Sequence, residues 1–298
     1  MSEPAIRIDG LTKYYGAVVG IEELSLQVER GEVFGFLGAN GAGKTTTIRL
    51  LLDLLRPSRG RAFVLGRDCH RESLQTRRLI GYLPGDLPVY PDLTAGAYLG
   101  FLSRLDDRPV PAEYLRALLR RFDVSDVDLA RRLRQQSHGM KQKIGIIQAL
   151  MARRPLVVLD EPTAGLDPFM AQAFREVVEE IRTQGDTTVF LSSHVLTEVE
   201  ATCDRVGIIR GGRIVNVSAL EDLRARAPRR VIIQFSAPVA SSESLPPGAL
   251  LRSATGTQWD LDVEGPLGPL LQQISALPMK DISVEPFSLE RHVMQFYA

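Results

Sequence analysis

Cysteine is scarce in this chain. Only Cys69 and Cys203 occur among 298 residues, they do not have the spacing of a metal site, and a chain of this size needs no disulfide to hold it together. That usage points to a reducing cytosol. An excess of charge of one sign is also missing. Lys plus Arg number 36 and Asp plus Glu number 36, so overall attraction to nucleic acid or anionic lipid is excluded, although local patches are not. No apolar run approaches the roughly 20 residues that span a bilayer. The first residues, Met1-Ser-Glu-Pro-Ala-Ile-Arg7, lack a basic segment followed by an apolar one, and no secretory signal is visible. Any membrane role must therefore come through a partner. His70, His138 and His292 stand in no metal-like cluster, and no transition-metal site is expected. No internal repeat or low-complexity tract occurs.

The chain does have a composition suited to a core. Hydrophobic residues make up 44% and charged residues 24%, which argues against bulk disorder, and the length suits one large domain plus a small one. The organising stretch is Gly38-Ala-Asn-Gly-Ala-Gly-Lys-Thr-Thr46, after the apolar run Val33–Leu37 and before the helix-like Ile48–Leu55. This is G-x-x-x-x-G-K-[ST] in its strand-then-helix setting, a phosphate-binding P-loop. Glycines let backbone N–H groups converge on an anion, and the positive end of the next helix adds to the field. Gly38, Asn40, Gly41, Ala42 and Gly43 are assigned to the loop. Lys44 is assigned to the β and γ phosphates, Thr45 to magnesium through its hydroxyl, and the backbone through Thr46 to the remaining oxygens.

Along the chain, Ala5–Leu11 and Ile21–Val28 read as an antiparallel edge before the P-loop strand, with Tyr14 and Tyr15 on a turn between them. Either ring can stack on adenine, and Tyr15 is preferred; the alternative is that both plug the sheet edge. Arg61–Leu65 and Ile80–Leu83 read as strands, with a helix over about 72–78 between them. Residues 94–122 are helical, an insert into the sheet. Strands resume at Leu156–Asp160 and Thr188–Leu191 around a helix over about 169–183, the alternation of a largely parallel sheet covered on both faces. Beyond Ile214, repeated prolines mark a change, and a boundary is placed near Ser218. Val231–Phe235, Gln258–Val263 and Ile282–Val284 read as strands. Leu267, Leu270, Leu271, Ile274 and Leu277 read as one helix face, and Ser288–Tyr297 as a terminal helix.

Leu156-Val-Val-Leu-Asp160-Glu161 is an apolar strand delivering two acids. Asp160 is placed to hold magnesium, directly or through water, and Glu161 to take a proton from the attacking water or orient it. His194, after the next strand, should emerge at the same sheet edge near the terminal phosphate.

Taken as a set, these segments resemble the ATP-binding subunit of an ABC transporter over about residues 6–218. The resemblance rests on the aromatic before the P-loop, the P-loop, Gln136-Ser-His-Gly-Met140 where the family has LSGGQ, the Asp160-Glu161 pair, Ala164-Gly-Leu-Asp167 as D-loop, and His194 as switch histidine. It implies an α/β P-loop NTPase with an antiparallel β subdomain and a helical insert over about 86–140. Residues 1–217 are then the ATP-binding domain, and 218–298 a small α+β accessory domain. The resemblance further implies ATP and Mg2+ as cofactors and a head-to-tail dimer with a second such subunit. In that dimer Ser137 and Gly139 touch the γ-phosphate of the partner's nucleotide, and Asp167 crosses the interface.

Two departures stand out. Gly85-Asp86 replaces the glutamine that usually follows Gly-Tyr-Leu-Pro; either Asp86 partly takes over as a metal contact, or hydrolysis is weakly coupled at this loop. His138 and Met140 replace glycine and glutamine in the signature. Similar Ser-x-Gly-Met signatures occur in the branch that resembles drug, antibiotic and polysaccharide exporters, whose ATPase pairs with a separate permease. The implied activity is ATP hydrolysis driving export through an integral membrane permease, with no nucleic-acid partner, at the cytoplasmic face of the cell membrane. The surface around 86–101 is the expected permease contact. The rival is a soluble ATPase switch acting on nucleic acid or ribosomes, against which balanced charge and the lack of tandem cassettes argue. The tail is expected to regulate, dimerise or simply stabilise.

Overall fold

A computed structural model describes residues 3–87, 90–106, 109–226, 228–239 and 245–285. The chain divides into two compact units, Met1–Ser218 and Ala219–Ala298.

The first unit opens with a hairpin, β1 (Ile6–Tyr15) and β2 (Val18–Val28). Tyr14 and Tyr15 are the last residues of β1 and pair with Val19 and Val18, so the turn is Gly16-Ala17 and not the tyrosines. Gly16, at φ 61°, is what lets so short a turn close. Then come β3 (Val33–Leu37), α1 (Lys44–Leu51), β4 (Arg59–Val64), β5 (Arg67–Asp68), α2 (Ser73–Arg77) and β6 (Ile80–Leu83). Among the described residues β1, β2, β4 and β5 form their own four-stranded sheet in the order β2-β1-β4-β5. They are thus a separate layer and not an edge of the sheet that carries β3.

The insert is divided where a continuous helical pattern had been expected. It comprises α3 (Ala95–Leu105), α4 (Ala112–Arg121), α5 (Asp126–Ala130) and a 3-10 turn at Leu133–Gln135. Pro109 and Pro111 stop the helix between α3 and α4, because proline lacks an N–H and its ring clashes with the preceding turn. Next are α6 (His138–Leu150), β7 (Leu156–Asp160), α7 (Pro168–Gln184), β8 (Thr188–Ser193), α8 (Leu196–Thr202), β9 (Arg205–Arg210) and β10 (Arg213–Ala219). The last three elements lie outside the segments assigned from the sequence.

The central six-stranded sheet runs β10-β9-β3-β8-β7-β6. The β3–β8, β3–β9, β7–β8 and β6–β7 pairings are parallel. Both β3 and β7 are buried at every residue, as strands covered on two faces must be. Phe34 and Phe190 stack with centroids 5.8 Å apart, and Phe36 lies 5.4 Å from Phe190. With Ile48, Leu51 and Val158 they form a core that fixes α1 against the sheet. The register sets Phe36 beside Ser192 and Ser192 beside Asp160. The carboxyl ends of three strands therefore open on one place.

The second unit holds α9 (Leu220–Arg226), β11 (Arg229–Phe235), β12 (Ala249–Thr255), β13 (Gln258–Val263), α10 (Gly268–Ile274) and β14 (Met279–Val284). Its sheet order is β12-β13-β11-β14. Trp259, Leu261, Val231 and Ile233 fill the core beneath Leu270 and Ile274. Leu271 was expected on that face but is exposed, since it lies 100° around the helix from Leu270. The terminal helix expected at Ser288–Tyr297 lies outside the described residues.

Candidate nucleotide site

The loop between β3 and α1 is shaped by glycines, two of which, Gly38 and Gly43, leave no room for a side chain. Gly43 caps α1 at φ 114°, and a Cβ there would meet Ile21 Cγ2 at 2.7 Å and Gly20 O at 2.9 Å. The first N–H groups of α1 have no intrahelical partner and no acidic side chain in the first turn. Such a terminus attracts anions. The loop borders a cleft of about 340 Å³ lined by Tyr15, Val18, Val19, Gly20, Ala39, Asn40, Gly41, Gly43, Lys44, Thr45, Thr46 and Glu161.

Two polar networks converge beside this cleft. Asp160, 2% exposed, accepts from Thr45 Oγ1 at 2.9 Å and from Ser192 Oγ at 2.5 Å. Its field is felt nearby: burial first, and then the Asp160 carboxylate, push the Tyr82 hydroxyl up to about 12. In the second network Lys44 Nζ donates to Gly38 O at 2.6 Å and lies 3.2 Å from Glu161 Oε1. His194 Nδ1 lies 2.7 Å from Glu161 Oε2. A carboxylate at that distance calls for the proton on Nδ1, so Nε2 accepts in the neutral ring and donates in the imidazolium. Glu161 itself sits at φ 53°, a left-handed backbone that costs a non-glycine residue about 1–3 kcal/mol. Its N–H is offered both Ser192 O and Ser192 Oγ at 3.2 Å.

The all-oxygen pair of Thr45 and Asp160 fits a hard cation such as Mg2+. Lys44, now held by carbonyls and a carboxylate, fits an incoming phosphate. Tyr15 lines the cleft with 44% exposure, its hydroxyl 3.5 Å from Thr46 Oγ1. Tyr14 instead donates its hydroxyl to Glu22 at 2.9 Å. That separates the two rings the sequence left open.

Ser137 caps α6, accepting from Met140 N at 3.2 Å. Asp167 caps α7, accepting from Met170 N at 3.0 Å. Among the described residues, no hydrogen bond or ion pair joins Ser137, Gly139 or Asp167 to the P-loop. Among the described residues, no hydrogen bond joins Asp86 to Thr45 or Asp160 either. Asp86 is exposed, and it is Gly85 whose added Cβ would lie 3.4 Å from Asp160 Oδ2.

Four residues contribute that local sequence does not mark. Ser192 is not singled out by the sequence pattern; Val18 and Val19 form a cleft wall that is visible only once the hairpin closes; Gln142 reaches back to Glu161 from inside α6. A serine closing an apolar strand, as Asp160 closes another, was the one signal available.

A family model described as ABC transporter matches residues 21–164. The bacitracin transport ATP-binding protein BcrA of Bacillus licheniformis is 33% identical over 233 residues, 78% of this chain and 75% of that protein. The daunorubicin resistance ATP-binding protein DrrA3 of Streptomyces coeruleorubidus is 37% identical over 229 residues, 76% of this chain and 71% of that protein. A solved structure of an ATP-binding subunit of an ABC transporter superposes with a TM-score of 0.68 at 33% identity, covering 74% of this chain and 92% of that one. Among the described residues no helix is long and apolar enough to cross a membrane. The chain therefore belongs to the ATP-binding proteins of ABC transporters and is an ATP hydrolase of that family.

Proposed function

We propose that this ATPase drives export of a drug-like or antibiotic-type molecule through a separate integral membrane permease, at the cytoplasmic face of the membrane. The antibiotic-linked names of two relatives support the substrate class. The observation that carries the mechanism is the shared carboxylate: Glu161 holds both Lys44 and His194. A terminal phosphate entering the P-loop competes for Lys44 and releases Glu161 Oε1. The freed carboxylate then orients a water and takes its proton, while His194, as the imidazolium, donates its Nε2–H to the phosphate. Tyr15 stacks on adenine. Mg2+, when bound at Thr45 and Asp160, neutralises charge on the phosphates.

Ser137, Gly139 and Asp167 stand outside this network, which supports the reading that they act across an interface. A second copy, or a related subunit, supplies them in a head-to-tail dimer that ATP closes and hydrolysis reopens. The test is Glu161→Gln with ATP, followed by light scattering and ATPase assay. The expected result is retained ATP binding, hydrolysis reduced by about a hundredfold or more, and an ATP-dependent dimer. A variant that stays monomeric at saturating ATP refutes the clamp. Purification without any membrane-embedded companion refutes the transport reading.

A further inference from the structure

Gln142 is 3% exposed and sits one turn inside α6, where an uncharged amide has no obvious reason to be. Its Nε2 donates to Glu161 O at 3.1 Å and to Pro162 O at 2.9 Å. The first of these carbonyls belongs to the residue with the left-handed φ of 53°. Ser192 holds the N–H side of that strained residue and Gln142 holds its carbonyl side. Strain of this kind persists only where the surroundings over-determine it.

A second contact joins the same two segments. Gly165, at φ +76°, lies so close to His138 that an added Cβ would meet its Cδ2 at 2.4 Å. A Cβ on Gly139 would meet Gly165 O at 2.9 Å. Turns from Ala164 N to Glu161 O and from Leu166 N to Thr163 O keep residues 161–167 compact. The start of α6 is therefore braced against this turn at His138–Gly139 and again at Gln142. On a helix, five residues span about 7 Å. Ser137 and the backbone of Glu161 are thus the two ends of a short, rigid piece.

We infer that Gln142 is a positioning residue, holding the strained backbone of Glu161 and making the catalytic carboxylate respond to nucleotide that a partner presents at Ser137 and Gly139. This rests on the head-to-tail reading, and the test separates the two. The relay needs no new chemistry: a shift of α6 on contact with the partner's phosphate moves the amide, and the amide moves the carbonyl of Glu161.

Gln142→Met keeps length and volume but has no N–H to donate. In the full chain, kcat should fall about tenfold or more while the KM for ATP stays within about twofold. The double variant Glu161→Gln with Gln142→Met should still dimerise with ATP. Unchanged kcat overturns the proposal, and so does a fall in kcat matched by a rise in KM, which is the mark of simple loss of packing. Should the methionine variant fold poorly, Gln142→Glu decides. Buried beside two carbonyl oxygens, its carboxyl has a raised pKa. Its activity relative to wild type should recover as pH falls and the protonated acid donates again; a pH-independent ratio overturns the proposal. Failure of Glu161→Gln alone to dimerise overturns the relay between subunits, whereas the hold on Glu161 is judged by kcat.

Discussion

Replacing Ser192 by alanine should damage this protein more than a conservative change at a strand end normally does. The hydroxyl is completely buried, donates to Asp160 Oδ1 at 2.5 Å and is offered the N–H of Glu161 at 3.2 Å. The N–H keeps an alternative in Ser192 O, so its loss costs little. Asp160 has no such reserve: at 2% exposure, water cannot replace the lost donor, and only Thr45 among the contacts described above remains. A hydrogen bond to a charged group contributes about 1.5–3 kcal/mol. With both effects combined, we expect a loss of about 2 kcal/mol at neutral pH, or a fall of roughly 4–8 °C in the melting temperature at about 2–4 °C per kcal/mol. The only tryptophan, Trp259, lies in the second unit. The first unit should therefore be followed by calorimetry or far-ultraviolet circular dichroism and not by tryptophan fluorescence. The magnesium concentration for half-maximal hydrolysis should also rise severalfold, because the carboxylate loses its orientation. A melting temperature within 1 °C of wild type, by the same relation about 0.5 kcal/mol or less, with unchanged magnesium dependence, would refute this account of Asp160.

Four further outcomes follow from the geometry. Tyr15→Ala should weaken ATP binding by about 1–3 kcal/mol, roughly 5- to 150-fold, and Tyr15→Phe should restore it, measured by titration calorimetry. Equal affinities would return Tyr15 to a sheet-edge role. Gly165→Ala should destabilise the first unit by about 1–3 kcal/mol in urea, since its φ of +76° and the His138 ring both oppose a side chain; unaltered stability would show that the turn relaxes freely. Asp86→Ala should leave hydrolysis and magnesium dependence within about twofold, as its exposed position suggests, and a larger fall would give Asp86 the metal role. Burial pushes the Cys69 thiol up to about 12 and raises Cys203 further. Neither thiolate is then populated below that range, so a disulfide reagent at pH 8 should find both thiols protected in the folded chain and accessible in denaturant. Rapid labelling of the native protein would contradict the burial.

Where the chemistry is local, the order of residues was sufficient. Gly38–Thr46 between an apolar strand and a helix, and Leu156–Val158 leading to Asp160 and Glu161, need only strand period, glycine freedom and the exposed start of a helix to be read as a phosphate cradle and an acid pair. The same residues led to the family. Other features depend on segments distant in sequence, and no local pattern encodes them. Tyr15 was separable from Tyr14 only when the Gly16-Ala17 turn closed the hairpin and sent one ring to the cleft and the other to Glu22. The division of the insert is, by contrast, a local matter: Pro109 and Pro111 stand in the sequence between the two runs of helically spaced leucines. Ser192 reached Asp160 because parallel pairing of β7 with β8 set them side by side, a register fixed by burial on both faces. Gln142 met Glu161 from 19 positions away. The left-handed turn of Glu161 arises where those partners converge, so only the folded chain could decide it.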